Sequence, residues 1–123
     1  MLKSTRELLI STVVLLILDG IYLYLTQKMF ADQITNIQRV VMQFKPIGAI
    51  ICYLLIIAGL NYFIIQRNRS TTEAFILGIV IYGIYDSTNY ATLKKWSAEL
   101  AIMDTLWGGS LFALTTYITY MLA

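Results

Sequence analysis

Four stretches of about twenty predominantly apolar residues occupy most of this chain, the length an α-helix needs to cross a bilayer core of about 30 Å. They run from about Glu7 to Gln27, Pro46 to Gln66, Thr72 to Leu93 and Leu100 to Leu122. Composition agrees, since 59% of the 123 residues are hydrophobic and only 13% are charged. Soluble domains carry about 25% charged residues. The expectation is an all-α integral membrane four-helix bundle. A single domain over 1–123 follows because no Gly/Ser/Pro-rich linker divides the chain. Pro46 suits the opening turn of a helix, where its missing N–H costs nothing. Lys3 and Arg6 precede the first run as they would in a signal peptide. The apolar stretch nevertheless continues past Asp19 into Ile21, Tyr22 and Leu23 with no small-x-small cleavage site, so a retained helix is expected.

The segment from Lys28 to Lys45 has a different pattern. Phe30, Ile34, Ile37, Val41 and Phe44 recur at steps of three and four, while Asp32, Asn36, Arg39 and Gln43 trace a polar face at the same period. That periodicity predicts an amphipathic helix over about 29–44, lying in the interface between the first two spans. The connection from Arg67 to Thr71 is short and polar. It includes Asn68-Arg69-Ser70, a weak match to a glycosylation sequon.

Several chemistries are excluded. The chain has one cysteine, Cys52, and no histidine. That rules out an internal disulfide, Cys/His zinc sites, His-ligated haem and any imidazole-dependent nucleophile. Cys52 lies in an apolar run and is expected to be a small buried hydrophobe. No cofactor motif is present. The net charge of +2 is too small and scattered for a nucleic-acid partner.

Three aspartates interrupt the apolar runs: Asp19, Asp86 and Asp104. An ionisable group in a span costs at least roughly 2.5–3.5 kcal/mol on insertion scales, which makes each a functional-site hypothesis. With four crossings, both termini and the Arg67 loop share one side, and the amphipathic segment and the turn near Trp96 share the other. Asp19, Asp86, Asn89 and Asp104 then all fall toward that second side, as does Arg39. Basic residues number four on one side and five on the other, which leaves the positive-inside rule undecided. Asp86 and Asn89 are three apart on one helix face, with Tyr82 a turn below. Tyr22 follows Asp19 by three. Asp104 shares a face with Gly108, which would let a neighbouring helix approach closely. The expectation is a one-sided polar pocket of carboxylates, an amide and phenols, with Arg39 as its lid. Tyr53 and Tyr85 lie deep enough to donate hydrogen bonds inside, and Trp96, Tyr117 and Tyr120 fit an aromatic belt.

Three carboxylates in one apolar setting cannot all stay ionised cheaply, so one becomes a candidate proton carrier or general acid. Their oxygens, with that of Asn89, also suit a hard cation. Alternatively the acids pair with basic and phenolic groups and only fix the bundle.

Residues Tyr82-Gly83-Ile84-Tyr85-Asp86-Ser87-Thr88-Asn89-Tyr90-Ala91-Thr92-Leu93-Lys94-Lys95-Trp96 closely resemble the signature of the DUF2177 membrane proteins. There the run reads approximately Tyr-Gly-x-Tyr-Asp-x-Thr-Asn-x-Ala-Thr-Leu, then Lys and Trp. Asp104-Thr105-Leu106-Trp107-Gly108 resembles a second signature, and Leu18-Asp19 with a following aromatic resembles a third. Ser87 and Tyr90 stand where Leu-like residues are usual, and Ser97 where the family often has Pro. The likeness covers nearly the whole chain. It implies a four-helix integral membrane protein and points to Asp19, Asp86, Asn89, Asp104 and Trp107 as motif residues without giving them a task. The Ile/Asn/Lys-leaning composition resembles members carried by large DNA viruses, which would place the chain in a host or viral membrane.

Three functions are compatible with these residues. The first is a small transporter or channel-like protein binding a proton, cation or small solute at the carboxylate pocket. One four-helix bundle has little room for a pore, so that reading favours a homo-oligomer. The second is a lipid-binding or lipid-modifying protein, and the third a structural or assembly protein. The bilayer itself is the one partner that all three share.

Overall fold

The computed structural model describes residues 2–38, 45–93 and 96–123, with the backbone alone over 33–38. Among them every regular element is helical: α1 (Lys3–Gln38), α2 (Pro46–Phe63), a 3-10 turn (Ile65–Arg67), α3 (Thr71–Thr92) and α4 (Ala98–Leu122). The all-α, four-helix expectation holds. The expected surface helix differs at its start. Rather than breaking near residue 28, α1 runs on for 36 residues to Gln38, a length of about 54 Å. No Gly or Pro occurs over 21–38, so nothing in the chain interrupts the backbone ladder there. The rest of that segment, 39–44, lies outside the described residues.

Two helical segments, Lys3–Asp32 and Pro46–Arg67, are long and apolar enough to cross a membrane. α3 and α4 have comparable length, 22 and 25 residues. Glu73, Asp86 and Asn89 on α3, and Glu99 and Asp104 on α4, dilute their apolar content. Of these, Asp86 and Asp104 turn inward at the centre of the fold, whereas Glu73 and Glu99 are exposed in the first turns of their helices and large apolar side chains such as Leu54, Leu55, Ile84 and Ile102 face outward.

α3 and α4 make the tightest pairing, and glycine permits it. A Cβ on Gly78 would overlap the Gly108 carbonyl and reach within 2.8 Å of Gly109 Cα, while one on Gly108 would enter the Tyr82 ring. The close approach expected at Gly108 is therefore present. α1 lies along α4 and buries Glu7, Ser11, Leu15, Asp19 and Thr26, a stripe at the spacing of one helix face. α2 rests on α1 and the 3-10 turn, burying only Ile56, Ile57, Leu60 and Asn61. Leu15, Leu60, Leu111 and Phe112 are at the heart of the apolar core.

The helix ends are fixed locally. Ser70 caps α3 in a reciprocal box with Glu73, satisfying two otherwise orphan donors. Ser97 accepts from the Leu100 amide at the start of α4. Asn68 takes a left-handed conformation (φ 54°) in the turn before α3, a region that a short polar side chain tolerates. Tyr120 Oη then donates to the Arg69 carbonyl at 2.7 Å, tying that turn to the end of α4.

Two aromatic-belt and core expectations change. Cys52 is exposed on the outer face of α2, not buried. Trp96 is buried and stands edge-on to Tyr85, with ring centroids 6.3 Å apart, and its amide donates to the Leu93 carbonyl at the end of α3.

Candidate functional site

α1 and α4 run antiparallel, and each carries an aspartate followed three residues later by an aromatic. Antiparallel packing sets the two pairs head to tail. Trp107 Nε1 donates to Asp19 Oδ1 at 3.0 Å, and Tyr22 Oη donates to Asp104 Oδ1 at 3.1 Å. The Tyr22 and Trp107 rings stack between the acids, with centroids 4.8 Å apart and planes 12° from parallel. Each helix therefore supplies an acceptor to the other's donor, and the stack locks the register. From α2, Tyr53 Oη donates to Asp19 Oδ2. Both oxygens of Asp19 are then satisfied, as a buried carboxylate requires.

Asp86 is different. Only 1% of it is exposed, and Thr105 Oγ1 at 3.5 Å is a weak donor to its Oδ2. Its Oδ1 is buried without a partner among the described residues. Asp86 and the Asp104 carboxyl are electrostatic neighbours across the α3–α4 contact. Two carboxylates are both acceptors, so neither serves the other unless a proton or cation lies between them. Asp86 also lines a groove of about 450 Å³ between the outer edges of α3 and α4, with Tyr90, Ala98, Ala101, Ile102 and Thr105. That lining is almost wholly apolar.

Of the sequence-predicted site residues, Asp19, Tyr22, Asp86, Asp104 and Trp107 come together in this centre. Tyr82 lies beside it, its ring across Gly108 and edge-on to Phe112 at 6.2 Å. Asn89 lies half-buried on α3 and, among the described residues, makes no hydrogen bond to a carboxylate. Arg39 lies outside the described residues. Tyr53 and Thr105 complete the centre. Tyr53 was legible as a deep phenol but not as a partner of Asp19, and Thr105 gave no signal beyond its place beside Asp104. Among the described residues no group of three or more acidic, Cys or His side chains is arranged to hold a metal ion.

A second polar group lies toward the opposite end of the bundle. Asn61 Nδ2 donates to Ser11 Oγ at 3.0 Å, and Gln66 Nε2 to Asn61 Oδ1 at 3.2 Å. Leu15, Leu60 and Leu111, all fully buried, separate it from the carboxyl centre.

Fold and centre together define an all-α membrane protein organised around buried acids. The chain belongs to the DUF2177 family, described as a predicted membrane protein, whose model matches residues 5–121. Comparison with curated proteins and with solved structures returned no match.

Proposed function

We propose that this protein crosses the membrane four times and uses the Asp86–Asp104 pair to bind and pass on a proton or small cation, as a small transporter or channel-like protein. One observation carries the reading. Among the described residues Asp19 has two donors and Asp104 has one, whereas Asp86 keeps a buried oxygen with no donor. An acceptor held dry costs about 1–3 kcal/mol, more if charged. A structural acid would have been given a partner as Asp19 was. A proton or cation shared with Asp104 satisfies it, and leaving again is what makes the site usable.

Flux in liposomes tests this. Correctly inserted protein should move protons or monovalent cations, and Asp86→Asn, checked for folding, should abolish that flux while Tyr24→Phe, on the exposed face, keeps it. Unchanged flux in folded Asp86→Asn, or none from the parent, overturns the reading. The groove beside Asp86 favours a second reading, a lipid-binding protein whose ligand reaches the acids from the bilayer.

A further inference from the structure

We infer that the cation recognised by the Asp86–Asp104 pair is the protonated amine of an amphiphile, which reaches it sideways from the bilayer through the α3–α4 groove. The inference rests on the cation-binding reading above and names its ligand class. Three observations converge. First, the groove of about 450 Å³ falls within the roughly 300–1,000 Å³ of small-molecule sites. Second, its walls are apolar and lie between the outward faces of α3 and α4. Tyr90, Ile102 and Leu106 on those walls are exposed, and such large apolar side chains are lipid-facing in a membrane protein. A hydrated solute gains nothing from such walls, whereas a hydrocarbon chain does. Third, among the described residues the acidic group lining the groove is Asp86, whose Oδ1 has no partner there and which interacts with the Asp104 carboxyl.

An ammonium matches that end of the groove better than a hydroxyl or a phosphate. It brings three donors to two acceptor-only groups and cancels charge where none of the described lysines or arginines forms an ion pair with either acid. A phosphate would meet like charge. The small side chains of Gly83, Ala98 and Ala101 leave the width that a chain needs beside Thr105.

Photo-crosslinking in phosphatidylcholine nanodiscs decides the matter. The probe is a dodecylamine bearing a chain diazirine and a terminal alkyne, competed with dodecylamine, dodecanol, dodecyl sulfate or ethylamine. Label should map to residues of α3 and the first half of α4, and dodecylamine alone should compete it away. Asp86→Asn should weaken that competition by about tenfold or more, the scale of one lost charge-assisted hydrogen bond. Ala98→Phe, at an exposed position in the first turn of α4, should block the groove without disturbing the core and have a similar effect. If ethylamine competes as well as dodecylamine and Ala98→Phe changes nothing, the pair binds a free cation. That result overturns the amphiphile while leaving the cation site standing. If folded Asp86→Asn binds dodecylamine like the parent, both fail.

Discussion

At the level of single residues the three aspartates are not equivalent, although the sequence presents them alike. Asp19 is a well-served acceptor with Tyr53 and Trp107 as donors. Removing one donor leaves half of a buried carboxyl unsatisfied, so Tyr53→Phe and Trp107→Phe should each destabilise the protein by about 1–3 kcal/mol. Both losses should shrink in an Asp19→Asn background, where the charge that needed them is gone. Thermal unfolding in detergent, run as a double-mutant cycle, measures the coupling. Additive effects would mean that the donors act through packing alone. The sequence showed the acids and the aromatic that follows two of them. It did not show which donor serves which acid, because Tyr53 and Asp19 lie 34 residues apart and only helix packing makes them neighbours.

Among the elements, the α3–α4 pair carries the tightest constraint. Gly78 faces the Gly108 carbonyl with no space for a methyl group, so Gly78→Ala should separate the helices or shift their register. The expected cost is about 1–3 kcal/mol from overpacking, despite alanine's better helix propensity. Gly59 is the control, since nothing lies within 4 Å of its added Cβ. Gly59→Ala should be neutral or stabilise by up to about 1 kcal/mol. Equal effects at the two positions, read by denaturant titration, would contradict the close crossing. A loosened α3–α4 crossing should also displace Asp86 relative to Asp104 and Thr105. The geometry of the candidate site therefore depends on an element contact some two turns away. Helix identity was legible in the length of the apolar runs. The continuation of α1 to Gln38 was not, since the amphipathic pattern after Lys28 describes a face and carries no signal for where a helix bends.

For the molecule as a whole, the proposed four crossings place the N-terminus and the Asn68 turn on one side and the Ser97 turn on the other. Single cysteines at Ser4, Asn68 and Ser97 in a Cys52→Ser background test that arrangement. A membrane-impermeant maleimide should label the first two from the same side and the third only from the opposite side. Labelling of Asn68 and Ser97 from one side would remove α3 from the membrane and with it the lateral route to Asp86.

Sequence alone determined that this chain is helical and that it belongs in a membrane, and it led to the expectation that Asp19, Asp86 and Asp104 gather toward one end. Those properties follow from composition and from residue spacing along single helices, and neither depends on how the helices meet. Tertiary structure decided the rest. Among the described residues it gave Asp19 two donors and left one oxygen of Asp86 with none, brought Asp86 and Asp104 together, and opened an apolar groove beside Asp86. Hydrogen-bond satisfaction is a property of side chains brought together from different helices, and it is set by the packing of Gly78 on Gly108 and of Tyr22 on Trp107.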